Sequence, residues 1–267
     1  MDIPDEAPLP SFNLSNDIDS IDPIPHSDCR YVNIGNFNSL SSNYIKGSFS
    51  VLCYNIRSCR RNFSSFLTYL NMILLQFSII VLVETWLSED TDYGFDIEGY
   101  SQINRYRNNF GGGIKVYFRD HLKVKILNTF SRVSDVAEIV SINVSIERIS
   151  LILLCIYRPP SSCPYAFNNV LFDEVLTNFN NTDKIMIVGD LNLNLFNPLN
   201  LTYIDNFIDN MLSLSFWPII NKPAKVNPDN ITTRYSLIDQ IWSNFELSYN
   251  NICGILHVVQ TDHFPIS

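Results

Sequence analysis

The feature that most constrains this chain is a recurring event: a short apolar run, too brief for a helix, ends in one polar residue. The clearest case is Ile185-Met186-Ile187-Val188-Gly189-Asp190-Leu191-Asn192. Four apolar residues, mostly β-branched, read as a buried strand. Gly189 ends the run, because glycine allows backbone angles and close approaches that other residues do not. Asp190 and Asn192 then emerge at the C-terminal end of the strand, where sites on α/β sheets are commonly built. Their spacing of two puts both side chains on one side of an extended segment. An anion beside a neutral donor and acceptor suits gripping a water and a phosphoryl oxygen together. By itself the tetrapeptide is weak, since Asp and Asn are also common turn residues.

The rest of the chain supplies a frame for that strand. Ser48–Asn55 reads as a first strand. Phe63, Phe66, Leu67, Leu70, Ile73, Leu74 and Phe77 recur at helical spacing, and Ser78–Val83 is a second buried strand. Further strands are expected near 100–104, 114–118, 122–128, 136–145 and 149–156. Ile149–Ile156 is nearly all apolar and therefore central. Helices are expected over 165–179 and 202–213, and strands over Ile238–Trp242 and Cys253–Val259. Many strands with three helices between them argue for a layered α/β domain. Residues 1–45 are rich in Asp, Asn, Ser and Pro without any period, and read as a disordered acidic lead. The domain proper is then 46–267.

Charge and cysteines bound the function. The net charge is -9, with seven acids and two bases in residues 1–50, against twenty acids and sixteen bases in 51–267. The body is only mildly acidic, but it lacks the basic footprint of a tight, nonspecific nucleic-acid binder. Cys29, Cys53, Cys59, Cys155, Cys163 and Cys253 form no C-x-x-C pair, which argues against structural zinc. No apolar segment follows Met1 as a secretory signal would require. The expectation is an intracellular protein with free thiols. The longest apolar run, Ile79–Val83, is too short to span a bilayer, so no membrane partner is expected.

Six strand ends carry polar residues suited to a metal or a phosphate. In order they are Asn55-Ile56-Arg57-Ser58, Glu84-Thr85-Trp86-Leu87, Tyr157-Arg158-Pro159-Pro160, Gly189-Asp190-Leu191-Asn192, Ser236-Leu237-Ile238-Asp239 and Asp262-His263-Phe264-Pro265-Ile266. Each has an ordinary reading as a loop, turn or surface residue; the ordered set, with Gly111-Gly112-Gly113 between the second and third, is harder to dismiss. It resembles the endonuclease/exonuclease/phosphatase superfamily, and most of all the apurinic-type endonuclease domain of non-LTR (LINE-type) retrotransposons, over about residues 48–267. The resemblance implies a DNase I-like α/β fold, a four-layer sandwich of two packed, mixed, mainly antiparallel sheets with helices outside.

It also implies roles. Glu84 would be the main Mg²⁺ ligand, with Asn55 beside it and Asp262 near the metal; Mn²⁺ is a possible substitute. Asp190 would orient or deprotonate the attacking water, and Asn192 would position it and a phosphate oxygen. His263 would contact the phosphate, held by Asp239 through its other nitrogen. Tyr157 would donate to the phosphate. Arg57 and Arg158, with Arg105 and Arg107, are candidate phosphate contacts. Arg57 stands where repair enzymes often carry an acid, which removes one metal ligand. Ala224 lacks a hydroxyl that some relatives place nearby. Relatives continue the strand after D-H-x-P, so the resemblance implies a domain cut at its last strand.

The expected activity is Mg²⁺-dependent nicking of DNA, leaving a 3′-hydroxyl that a polymerase, such as a reverse transcriptase of the same element, could extend in the nucleus. Two alternatives stand beside it. One is a phosphatase or phosphodiesterase of the same fold acting on a small phosphorylated substrate; the other is an inactive remnant of a retrotransposon.

Overall fold

The computed structural model describes residues 29–42, 49–107, 110–146, 149–196, 201–226, 235–246, 252–257 and 261–267. In chain order the elements are β1 (Cys29–Val32), α1 (Ile34–Ser41), β2 (Val51–Asn55), α2 (Cys59–Met72), β3 (Ile79–Val83), β4 (Tyr100–Arg105), β5 (Ile114–Arg119), β6 (Lys123–Ile126) and β7 (Arg132–Val133). There follow β8 (Glu138–Ile146), β9 (Ile149–Tyr157), α3 (Pro164–Asn169), β10 (Lys184–Asp190), α4 (Thr202–Ser213), β11 (Trp217–Pro218), β12 (Lys225–Val226), β13 (Tyr235–Ser236), β14 (Asp239–Ser243) and β15 (Cys253–Leu256).

Two mixed sheets form. The first carries β2-β3-β5-β4, and the pair β1-β15 joins it through the last residues of the chain. Ile266 bridges both Cys53 and Ile255, with Cys53 N–H donating to Ile266 O at 2.8 Å. The second sheet runs β11-β14-β10-β9-β8-β6, with β7 also on β8. β2 and β3, β9 and β10, and β1 and β15 are parallel; the other pairs are antiparallel. The first two parallel pairs each enclose a helical crossover, as parallel neighbours require.

Strand parity makes the layers. Val51, Cys53, Val81, Val83 and Val116 from the first sheet meet Val140, Ile142, Leu153, Cys155, Val188 and Ile241 from the second. The alternate residues face outward under helices. Leu52, Tyr54, Ile80 and Leu82 pack on Phe63, Phe66 and Tyr69 of α2 and Phe37 of α1. Leu154, Ile156, Ile185 and Ile187 pack on Phe167, Leu171, Ile204 and Phe207. Strands covered on both faces must be apolar on both, which is why they read as continuous runs. Each fully buried Val, Leu or Ile contributes roughly 1.5–3 kcal/mol. The expected four-layer sandwich is the observed one.

Three readings need correction. First, the expected disordered lead reaches too far. Residues 1–28 and 43–48 lie outside the described residues, but 29–41 form β1 and α1, and β1 pairs in register with β15. The signal is non-local: four residues with a partner more than two hundred positions away have no period of their own. Second, α2 starts a turn earlier than its apolar stripe and stops at Met72. Asn38 of α1 accepts the Leu74 N–H at 2.8 Å and donates to Met72 O at 2.9 Å, so α1 closes the end of α2, and Phe77 packs from the loop beyond. Third, Gly189 does not end its strand: β10 continues through it to Asp190. A Cβ at Gly189 would lie 1.8 Å from Ile156 O, so the glycine is required by the close passage of β9. The helical span expected at 165–179 begins as α3 and continues as a π-turn over Val170–Val175. No helix among the described residues is long and apolar enough to cross a membrane.

Candidate active site

The inward parity that builds the core also builds the site. At one end of the second sheet the register aligns Glu138 with Tyr157, Tyr157 with Asp190, and Asp190 with Asp239. These four polar residues form one rung across β8-β9-β10-β14. They continue the inward rows of Val140, Cys155, Val188 and Ile241. Across from them, the first sheet ends at Asn55 of β2 and at Glu84, one residue past β3.

Asn55 links the two sheets. Its Nδ2 donates to Glu84 Oε1 at 3.0 Å and to Asp190 Oδ2 at 2.9 Å. Tyr157 OH donates to the same Glu84 oxygen at 3.2 Å. Asp190 Oδ1 accepts the Asn192 N–H at 3.0 Å. His263 Nδ1 lies 2.7 Å from Asp239 Oδ2, with both residues buried. Thr261 holds that turn in place, its Oγ1 accepting the His263 N–H at 3.1 Å while Tyr54 OH reaches it at 3.3 Å. Ala224 is buried, and its carbonyl accepts the Phe264 N–H at 2.6 Å, so that segment positions the His263 strand through backbone.

Burial sets the proton affinities. Asp190 is raised to about 7 by desolvation and by Asp239, against the opposing effects of His263 and Asn55. Burial lowers the affinity of His263 for a proton, but Asp239 outweighs it and the net shift is upward. Tyr157 is raised by burial and by Glu84, so it remains a donor. A carboxyl with raised proton affinity beside an imidazole whose proton affinity a second carboxylate raises is an acid–base arrangement.

Backbone strain concentrates here. Of the described non-glycine residues with positive φ, Arg57, Ser58, Glu84, Trp86 and Asn192 all sit in these strand-end loops, and only Ser215 lies elsewhere. Such conformations cost roughly 1–3 kcal/mol each and persist where the surroundings enforce them. The Thr85 and Trp86 N–H groups donate to Gly113 O and Gly112 O, at 3.2 and 2.9 Å.

Several candidates do other work than expected. Arg158 is buried. Its guanidinium is spent on Leu191 O, Asn192 O and Ser162, so it is no surface contact for phosphate. Asp262 pairs with Arg57 at 2.6 Å and lies 3.9 Å from Lys225 Nζ, which places cationic side chains where a metal neighbour was expected. Arg57 itself is half exposed at the mouth and is held by that pair. Asn192 spends one amide hydrogen on Arg158 O at 2.7 Å. Arg105 and Arg107 are also engaged, Arg105 with Asn128 and Arg107 with Glu138 and Asp135.

Sequence reasoning missed Glu138. It is buried on the site rung, accepts the Gly113 N–H at 2.6 Å and meets Arg107 at 3.4 Å. A Cβ at Gly112 would lie 2.2 Å from its Oε1, so the glycines make room for this carboxylate. An acid opening an otherwise apolar strand was the available signal.

Two places offer ligands to a cation. Asp190, Asp239 and His263 bring donor atoms within 4.8 Å of one another. They fit poorly, because His263 and Asp239 are already hydrogen-bonded and the raised proton affinity of His263 disfavours a neighbouring cation. Glu84 fits better: it is half-buried, and both of its described side-chain hydrogen bonds fall on Oε1, which leaves Oε2 as a hard oxygen donor.

No protein-family model and no curated protein sequence matches this chain. Solved structures do match. The endonuclease domain of TRAS1, a telomere-specific non-LTR retrotransposon, aligns at 12% identity with a TM-score of 0.57, covering 82% of this chain and 96% of that one. An AP endonuclease from Archaeoglobus fulgidus aligns at 13% identity and 0.58, covering 82% and 98%. A mannosyl-6-phosphatase from Bacteroides thetaiotaomicron aligns at 14% and 0.52, covering 82% and 98%. At these identities the likeness is one of fold. The chain has a DNase I-like α/β fold, the fold it shares with these nuclease and phosphatase structures.

Proposed function

We propose that this chain hydrolyses phosphodiesters with a bound divalent cation, and that it nicks DNA as the endonuclease of a non-LTR retrotransposon. The observation that carries the reading is the single hydrogen-bonded set Tyr157–Glu84–Asn55–Asp190 facing the His263–Asp239 pair. Mg²⁺, or Mn²⁺ in its place, held at Glu84 beside Asn55, would polarise the phosphoryl oxygen and neutralise developing charge. Asp190 accepts the proton of the attacking water, its carboxyl oriented by the Asn192 N–H and Asn55. His263, protonated and fixed by Asp239, stabilises the charge that builds on the phosphate oxygens. Tyr157 contributes a second neutral donor. Nicking would leave a 3′ end for a reverse transcriptase of the same element.

A second reading has its own support. Three of the described bases near the site are occupied: Arg57 by Asp262, Arg107 by Glu138 and Asp135, Arg158 by Ser162 and backbone carbonyls. Those three guanidinium groups are not free to track a long polyanion, which favours a small phosphorylated substrate. Purified protein incubated with supercoiled plasmid and Mg²⁺, in parallel with a small phosphomonoester panel, separates the two. The nuclease reading expects nicked circles that Asp190→Ala abolishes. Phosphate release without nicking would replace it by the phosphatase reading, and neither product from wild type would overturn both.

A further inference from the structure

Arg158 is a buried cation with no carboxylate among its hydrogen-bond partners. Its Nε donates to Leu191 O at 2.7 Å and one terminal nitrogen to Asn192 O at 2.7 Å. The other terminal nitrogen donates to Ser162 O and Oγ, at 2.7 and 2.9 Å. Its own N–H donates to Asp190 O at 3.0 Å, and its carbonyl accepts from Asn192 Nδ2 at 2.7 Å. One residue therefore grips three consecutive residues, Asp190 to Asn192, where the chain leaves β10. Burying a guanidinium against neutral carbonyls is an expensive way to close a loop, since a neutral donor would avoid the desolvation of a charge.

Peptide planarity shows what the grip achieves. Leu191 C=O and Asn192 N–H belong to one peptide unit, and that unit is rigid. Arg158 fixes its oxygen, and the N–H on the other side donates to Asp190 Oδ1 at 3.0 Å. Fixing the carbonyl therefore aims the N–H, and the N–H aims the carboxylate. The second bond of the fork, to Asn192 O, holds the next peptide, so the positive φ of Asn192 is clamped on both sides. A planar fork meets two carbonyls in one fixed geometry, whereas the donors of an ammonium rotate freely on a flexible stem. Gln240 makes a useful contrast. Its Nε2 braces the same loop one residue later, on Leu193 O at 2.6 Å, but that peptide carries no N–H toward Asp190.

We propose that Arg158 is a positioning residue for Asp190, acting through the Leu191–Asn192 peptide. The proposal rests on the reading of Asp190 as the proton acceptor. Its test compares Arg158→Lys, Arg158→Ala with added guanidinium, and Gln240→Ala, measuring nicking kinetics, thermal midpoint and hydrogen exchange at the Asn192 amide. Arg158→Lys is expected to lower kcat about 10–100-fold with KM within twofold, and to expose the Asn192 amide to exchange. Guanidinium should restore part of the Arg158→Ala rate. Gln240→Ala should lower the thermal midpoint similarly while kcat stays within twofold. Equal kcat losses in Arg158→Lys and Gln240→Ala would reduce Arg158 to a structural brace. An Asn192 amide that remains protected in Arg158→Lys would overturn the proposal. The exchange arm needs no catalysis, so it decides this point even if the wild type fails to nick DNA. Should Arg158→Ala not fold, Arg158→Lys carries the comparison.

Discussion

The two sides of the site are built differently. On the second sheet, Tyr157, Asp190 and Asp239 sit within one rung, and Asp190 and Asp239 are 1% and 2% exposed. Their positions follow from strand register and their proton affinities from burial. On the first sheet, Glu84 stands just past a strand at φ 54, while the Arg57 and Asp262 side chains at the mouth are 46% and 22% exposed. The half proposed to handle protons is buried; the half proposed to meet cation and substrate has side chains at its mouth that are open to water. On the proposed reading, the acid–base groups are held by buried strands, whereas a cation site would exchange its ligands with solvent.

Four experiments break or sharpen that contrast. Removing the carboxylate on the buried side has the largest effect: Asp190→Ala should lower nicking by about 10²–10⁴-fold, read in single-turnover assays, with little loss of stability. A tenfold loss or less would move the proton acceptor elsewhere. Next comes the support of the first sheet. Lys115 and Asp92 form a buried pair at 2.6 Å, joined by Tyr106 OH on Asp92, and together they pin the 85–98 loop to β5. Lys115→Met leaves a buried unpaired carboxylate, which should cost about 3–5 kcal/mol in denaturant unfolding.

Glu138 comes third. Burial pushes its carboxyl up to about 7, against the Gly113 and Arg107 contacts that lower it. The folded chain then holds a proton that the unfolded chain releases, so stability falls as pH rises from the ordinary carboxylate range to about 7. A shift of this size is worth about 3 kcal/mol. Glu138→Gln should flatten the stability profile across that window; an unchanged slope would place the titrating group elsewhere. The smallest effect belongs to the exposed mouth. Arg57→Ala removes a partly solvated ion pair and should change stability by less than about 1 kcal/mol. If DNA is the substrate, it should also lower the salt slope of binding by about one. A loss as large as that of Asp190→Ala would show that Arg57 belongs to the core chemistry.

How much of this was legible follows one physical line. Asn55, Glu84, Tyr157, Asp190 and Asp239 could be read because each ends or opens an apolar strand, and such runs announce themselves by local pattern. That they meet depended on which strands pair, and Asn55 and Asp190, joined at 2.9 Å, are 135 residues apart. Glu138 escaped notice because an acid opening a strand resembles any solvated strand start until Tyr157 is placed beside it. Arg158 was misread for a related reason: a lone Arg after a strand is usually solvated, and only the returning loop after β10 supplies the carbonyls that bury it.

By itself, then, the sequence determined the layered α/β class, most of the strands, and the ordered polar residues at their ends. These are consequences of local periodicity and of the need to bury both faces of each strand. The tertiary structure decided which ends share a rung, which arginines are spent on backbone or acids, and that residues 29–41 belong to the fold. Those outcomes depend on hydrogen bonds and ion pairs between distant segments, whose partners exist only once the sheets have closed on each other.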